Sequence, residues 1–479
     1  MRAAMGKQQW QRAADLGNQW RQSGGREWPI TLNLAISLCH TKYATLQELN
    51  ALVSELREVS KNNEFAKLGL SKLLIQLARY EECIALLDQI NFQNPTERQN
   101  WRQKHLKADA LAKLGEFDHA IAALETQPSD SRDWRWQMAR AGVELQRSEW
   151  SAAEKYYRLV LQMQPNHTNA HHNLALTLFS QQQWQEGWKE YEWRWSNPRR
   201  STNGAPKPIP TSDILQNQTV IVTSEQGIGD QIMMMRFLPE VADRCRWLIV
   251  KVETRLIDLY KRSLPSNIHI IEKKDERDNQ SDTNKIYIGS GSLPLFCSSR
   301  TLNDPTATPP VQLRPDPELV NHLSEKLQPV AKGRSVFGLG WLGGTTNEQQ
   351  KERGLNEEDI QALVADEQRC WIDLQHLQPR WQHLRKSHGS LCHQLIENPG
   401  HDLDLTIALM ATLDGVVTTR QTVAHLAGAL ELQGTILVPT RQEWRYSQDD
   451  GPWKWYPNLQ CHNQIKRGDW NLNIQQLFC

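Results

Sequence analysis

A pair of positions recurs through residues 1 to about 196: an aromatic with a small or apolar residue three places on. It falls at Tyr80/Cys83, Phe117/Ala120, Trp150/Ala153 and Trp184/Gly187. The aromatics stand 37, 33 and 34 residues apart, each behind a short polar turn. The region is rich in helix formers, with apolar residues at helical spacing and little strand-like alternation, so it reads as helices. A period near 34 then restricts those helices to stacked hairpins. Between Leu114 and Ile121, Gly115 lets the chain turn, Phe117 fills the gap between two helices and Ala120 permits their close approach. Pro95, Pro128 and Pro165 close three successive units, because proline cannot continue a helix but can begin the next.

On these positions the stretch 62–195 resembles the tetratricopeptide family. Residues 1–61 read as more degenerate helical pairs that cap the stack. Stacked units of this kind leave a concave surface suited to an extended peptide or another protein. Docking on the rest of the chain, or holding a dimer, is the alternative use.

After Trp195 the text changes. The stretch 196–213 carries Pro198, Pro206, Pro208 and Pro210 with Gly204, an extended connector. Short apolar runs then alternate with amphipathic stretches, at Thr219–Thr223, Trp247–Val252, Ile268–Ile271, Lys285–Ile288, Ser335–Trp341, Cys370–Gln375, Gly415–Thr419 and Gly434–Pro439. That alternation argues for parallel sheets of the doubly wound type. The polar stretch Glu272–Asn284 reads as a mobile loop. Five prolines between Leu302 and Pro317 mark a second seam, which puts one lobe at 214–310 and another at 311–479, with the ligand cleft between them.

A chain of 479 residues has room for a solenoid and two such lobes. Its 55 basic and 55 acidic residues cancel, so no global field recruits nucleic acid or an anionic membrane. No run of about 18 apolar residues appears, and Met1–Trp20 lacks the apolar core of a signal peptide, which predicts a cytoplasmic protein. The eight cysteines are scattered without a Cys-x-x-Cys pair and read as reduced, mostly buried thiols. The 19 tryptophans, spread over both halves, read first as packing, with some free to line a groove.

The run Thr219–Thr223 leads straight into Ser224-Glu225-Gln226-Gly227-Ile228-Gly229-Asp230, ahead of a Met-rich helix. A Gly-rich turn between strand and helix lets backbone N–H groups approach an anionic or sugar ligand. Asp230 at the cleft edge is a candidate general base, though the pattern alone favours a helix cap. Met233–Met235 reads as the core face of that helix.

Three motifs in register carry a wider resemblance. They are the Glu-Gln-Gly-x-Gly-Asp loop, the preceding Gly187–Trp195 and the later Val423–Leu430, joined by Glu443–Tyr446, Gly451–Trp453, Trp455–Pro457 and Gly468–Trp470 in the same order. Together they look like bacterial tetratricopeptide proteins with a C-terminal glycosyltransferase domain related to the heptosyltransferases. The resemblance runs from about residue 62 to the C-terminus. It implies an α-helical tetratricopeptide-like solenoid followed by an α/β, GT-B-like pair of Rossmann-type lobes. It also implies metal-independent, inverting transfer from a nucleotide sugar, UDP-, GDP- or ADP-linked, with no further cofactor. The acceptor expected on this reading is a protein or glycan recruited by the helical repeats.

Carried over, Asp230 matches the family's candidate base behind Gly227 and Gly229. Phe337–Gly343 matches the family's strand and Gly turn, with Trp341 and Gly343 beside the nucleotide, and Arg353 falls where an Arg faces the diphosphate. Gln375 matches a position near the nucleotide. The helix holding Thr422 and His425 would cradle the diphosphate at its N-terminus. Read without the family, Arg353 is a solvated loop residue, Gln375 a strand-end amide and His425 a structural histidine.

The chain departs from the family where Asp-Thr commonly precedes this His by five and four places; here Arg420 and Gln421 stand there. Residues Gly343–Gln350 also depart from the family text. A catalytically inactive protein acting as a tetratricopeptide scaffold is therefore the alternative reading. His388, Cys392 and His393 lack the companion cluster of a metal site. No Walker loop or triad signature is present.

Overall fold

The computed structural model describes residues 1–6, 9–41, 44–125, 133–196, 215–273, 285–344, 347–376, 392–440 and 443–477. Of the Pro-rich connector only Ser196 is described, and of the expected mobile loop only Glu272, which closes a strand, and Lys273; Pro128 and His388 lie outside these residues. The chain forms two compact units, one built on Met1–Ala170 and the other on His171–Gly343 together with most of the chain from Arg353 onward.

The first unit is helical. After Arg2–Gly6, Trp10–Gln22, Trp28–Cys39 and Leu46–Ser60 come the paired helices Glu64–Gln76 with Tyr80–Asp88, Glu97–Leu114 with Phe117–Glu125, and Trp134–Gln146 with Trp150–Met163. Each periodic aromatic opens the second helix of a pair, and Cys83, Ala120 and Ala153 are fully buried at the crossings. Polar side chains cap the starts: Thr45 accepts from Glu48 N, Asn63 from Ala66 N, and Thr96 forms a capping box with Gln99.

The turns share one geometry. Ala78, Gly115, Ser148 and Gln182 each lie two residues before a periodic aromatic, with φ of 57°, 87°, 64° and 59°. In every case the following N–H bonds back to a carbonyl five residues earlier, as from Arg79 to Leu74 and from Glu116 to Leu111. This is the Schellman motif, which ends a helix through one left-handed residue. Only one of the four positions is glycine.

The second unit opens on the last helical pair, Thr168–Ser180 and Trp184–Tyr191. Phe179, Trp184, Trp188 and Tyr191 join the same buried core as Trp444 and Trp455. The repeats read as 62–195 therefore end with a pair whose aromatic face belongs to the α/β core, because that is where indoles complementary to Trp184 and Trp188 lie.

Two sheets complete this unit. The first comprises β1 (Thr219–Thr223), β2 (Trp247–Val252), β3 (Ile268–Glu272) and β4 (Lys285–Gly289), all parallel, in the order β3-β2-β1-β4. The second comprises β5 (Ser335–Gly340), β6 (Arg369–Asp373), β7 (Cys392–His393), β8 (Gly415–Thr419), β9 (Gly434–Val438), β10 (Gly451–Trp453) and β11 (Tyr456–Asn463). Its order is β10-β11-β9-β8-β5-β6-β7, parallel apart from the β10/β11 pair. All five residues of β8 are buried, as expected of a parallel strand covered on both faces. The eight strands read from sequence are all present, with ends shifted by at most two residues. Strands β7, β10 and β11 are additional.

Both sheets reverse their strand order, at the edge pair β1 and β4 in the first and in the interior between β5 and β8 in the second. Such switch points leave a crevice beyond the carboxyl ends of the strands, the usual place for a ligand. The seam near Leu302–Pro317 passes along the second sheet, where Leu313 N bonds Ala429 O and the helix Pro317–Ala331 begins. Among the described residues the cysteines are free, and all but the half-buried Cys245 are buried. No helix among them is long and apolar enough to cross a membrane.

Candidate functional site

The loop Ser224–Asp230 leaves β1 at the first switch point. Gln226 is held at φ 62°, a strained conformation for a residue with a side chain. Its amide bridges two neighbours, donating to Tyr191 Oη and accepting from Arg445 Nη2 at 3.0 Å. The loop is anchored by Arg194, which is 2 % exposed. That guanidinium donates to both carboxylate oxygens of Glu225, at 2.9 and 2.7 Å, to Glu192 at 2.6 Å and to Ser292 at 2.7 Å. It also stacks between Tyr191 and Trp195, 4.5 and 4.4 Å from the ring centres. Glu225 in turn accepts from Gly291 N at 2.7 Å. A buried charge needs this completeness of pairing.

Asp230 stands in the first turn of the helix Ile228–Met234, half-buried. Its Oδ2 accepts from Gly227 N at 3.4 Å, the capping contact, while Oδ1 accepts from Arg445 Nε at 2.6 Å. Cap and charged partner are thus both present on one carboxylate. Burial opposes the charge on Arg445, but Asp230, Tyr191 and Glu443 around it hold its pKa above the ordinary value. Gly229 lies against the ring of His425, where an added Cβ would fall 2.7 Å from Cδ2. At Gly227 the same addition would meet nothing closer than 3.6 Å. Steric need therefore falls on Gly229.

His425 is 4 % exposed and packs edge-on against Trp453, Tyr456 and Tyr446. Its Nδ1 has no hydrogen-bond partner among the described residues. Burial lowers its pKa to about 4, with Asp230 pulling the other way. The ring is enclosed, and its charged form is disfavoured.

The second switch point carries the Gly turn. Gln375, 2 % exposed, accepts from the backbone N–H of Trp341 at 3.0 Å and of Leu342 at 2.7 Å, and its Nε2 donates to the carbonyls of Leu342 and His376, each at 2.9 Å. Its amide fixes the turn after β5. Trp341 is 3 % exposed, so its indole offers little open face. Gly343 lets two loops meet, since a Cβ there would fall 2.4 Å from Arg420 O. Thr422 begins the eight-residue helix Thr422–Ala429, behind the uncapped Gln421.

Two cations converge beside this turn. Arg353 donates from Nη2 to Glu443 Oε1 at 2.7 Å, and Arg420 Nη1 lies 3.9 Å from the same oxygen. Arg420 is 1 % exposed and reaches under Tyr446. One carboxylate therefore serves two guanidiniums where the resemblance expects a diphosphate. Glu443 and Arg445 stand in the motif segment Glu443–Tyr446, but nothing in its local text assigns them partners at positions 353, 420 and 230. Among the described residues no group of three metal-ligating side chains converges.

No protein-family model matches the chain. FlbA of Caulobacter vibrioides is 24 % identical over 307 residues, covering 60 % of this chain and 50 % of that protein. The chain thus spans half the length of this curated relative. Similar solved structures include a glycosyl transferase family 9 protein from Veillonella parvula, at TM-score 0.37 and 11 % identity, covering 54 % of this chain and 91 % of that one. The O-GlcNAc transferase of Thermobaculum terrenum has TM-score 0.27 and 13 % identity over 79 % of this chain and 83 % of its own. The TPR protein YrrB, described with an unusual peptide-binding site, has TM-score 0.23 and 13 % identity over 38 % and 92 %. The structural neighbours of this helical array and its sheets therefore include tetratricopeptide proteins, a family 9 glycosyltransferase and an O-GlcNAc transferase.

Proposed function

We propose that the chain is a glycosyltransferase-like protein that binds a nucleotide sugar at the switch point of the second sheet and acts on an acceptor hydroxyl at that of the first. The observation that carries this reading is the convergence of Arg353 and Arg420 beside the Gly343 turn, with Asp230 at the matching end of the first sheet. Arginines at such a turn neutralise a diphosphate without a metal. The helix beginning at Thr422 adds its N-terminal amides, and Gln375 keeps Trp341 and Leu342 in place behind the nucleotide.

In the reaction, Asp230 takes the proton of the acceptor hydroxyl and the freed oxygen attacks the anomeric carbon. The bond from that carbon to the diphosphate oxygen breaks, and its electron pair leaves on the diphosphate, where Arg353 and Arg420 meet the charge. Attack from the face opposite the leaving group inverts the anomeric centre. The helical repeats would recruit the protein or glycan acceptor.

A second reading has its own support. Asp230 is already paired with Arg445, and both arginines already share Glu443. A cleft so self-satisfied fits a retired transferase whose helical array is the working surface. Thermal-shift titration against UDP, GDP, ADP, CMP and their sugar conjugates separates the two. A ligand at about 100 times its Kd adds roughly 2.7 kcal/mol to native stability. Response to one nucleotide class supports the donor site; silence to all favours the scaffold.

A further inference from the structure

A cleft of about 190 Å³ opens between the last helical pair and the segment 444–455, with neither Arg353 nor Glu443 in its lining. Its inner wall is aromatic: Phe179, Trp184, Trp444 and Trp455, whose rings meet with centres 4.8 to 6.2 Å apart. Each of these side chains is at most 6 % exposed, so only narrow strips of ring surface reach the cleft. The rim is polar, with Gln182, Ser447, Asp449 and Lys454 among its residues. Trp444 keeps its indole N–H without a hydrogen-bond acceptor among the described residues.

From this geometry we infer a binding site for one neutral, polyhydroxylated ring: a single pyranose unit of a saccharide. Three features select that class. Pockets for drug-sized ligands run to about 300–1,000 Å³, and this one is smaller, fit for one ring. Arg445 is already paired with Asp230, so Lys454 faces Asp449 and Asp450 alone; the rim disfavours an anionic occupant, and Lys454 offsets one of its two carboxylates against a cationic one. Aromatic strips under a rim of carboxylate, amide and hydroxyl groups match a ring with C–H faces and hydroxyl edges. Asp450 is already engaged with Asn463, at 2.6 Å to its N–H, which leaves Asp449 as the rim carboxylate for a ligand hydroxyl.

Arg445 lines this cleft and also holds Asp230. An occupant would thus sit one side chain from the candidate base, on the side of the last helical pair. The inference stands on the cleft itself and holds whether or not the protein transfers sugar.

The test is intrinsic tryptophan fluorescence of the full chain, titrated with methyl glycosides of glucose, galactose, mannose and N-acetylglucosamine. At least one should give a saturable change. Asp449→Ala should weaken it about tenfold or more, the loss of a hydrogen bond to a charged group, and Gln182→Gly by about threefold to tenfold. Gln182→Gly removes the rim amide at a positive-φ position where glycine is favoured, so it folds. No saturable change with any glycoside overturns the proposal, as does binding that neither variant alters. Saturation by proline or indole analogues in place of glycosides also overturns it. Glycoside binding without transfer supports the site while the transferase reading fails.

Discussion

Arg445 reaches from the second lobe to Asp230 in the first and closes a 2.6 Å charged hydrogen bond over 215 residues of sequence. A carboxylate so engaged can serve as the proposed base only where one of its oxygens is opened to the acceptor. An acceptor hydroxyl must displace the guanidinium or enter on Oδ2, which holds only the long contact to Gly227.

Asp230→Asn is accordingly expected to lower transfer about 100- to 10,000-fold, the range for losing a general base. Nucleotide affinity, which the proposal assigns to the other lobe, should stay within about twofold. Transfer kinetics paired with calorimetric nucleotide titration checks both. If nucleotide binding falls together with transfer, the carboxylate serves mainly to join the lobes.

Glu443 occupies the cations that a diphosphate would need. Neutralising it in Glu443→Gln leaves Arg353 and Arg420 without their shared counter-charge. Nucleoside diphosphate affinity should rise by about tenfold, and the gain should shrink as salt is raised. Titration calorimetry at two ionic strengths reads this directly. Unchanged affinity would place the ligand elsewhere.

The central strands were readable because parallel strands buried on both faces are written as short continuous apolar runs, as in Val220-Ile221-Val222. The hairpins were readable because an aromatic must fill the space between paired helices. Arg445 and Glu443 were not readable as ion-pair partners, since no local pattern encodes contacts 215 and 90 residues away. Strand β11 escaped because Tyr456–Asn463 mixes proline, asparagine and glutamine with its apolar residues. The loop residues Gly227, Gly229 and Asp230 were placed by motif, yet only the structure separates the glycine with a steric duty from the one without.

His425 ties the site to pH. Burial holds the folded imidazole near a pKa of about 4, while the unfolded chain titrates near 6.5. The native state therefore binds fewer protons over that interval. Its contribution is fully present above about pH 6.5 and is lost as pH falls toward 4, by at most roughly 3 kcal/mol. Urea unfolding at about pH 7 and about pH 4.5 should show a steeper loss for the wild type than for His425→Gln. Equal losses would mean that the ring reaches solvent in the native state.

The helical turns make a prediction of opposite sign at neighbouring kinds of site. Ala78, Ser148 and Gln182 occupy the left-handed region that Gly115 occupies in the sister turn. An L-residue there costs about 1–2 kcal/mol, and glycine gives back about 0.5–1 kcal/mol of that in unfolded-state entropy. Ala78→Gly and Ser148→Gly should each stabilise by about 0.5–1 kcal/mol, and Gly115→Ala should destabilise by about 1 kcal/mol. Gly142 sits inside the helix Trp134–Gln146, where an added Cβ meets nothing within 4 Å, so Gly142→Ala should stabilise by about 1 kcal/mol. Urea denaturation of the four variants tests whether backbone conformation, and not side-chain contact, governs these positions. If Ala78→Gly and Ser148→Gly proved destabilising, the packing of those side chains would outweigh their strained φ.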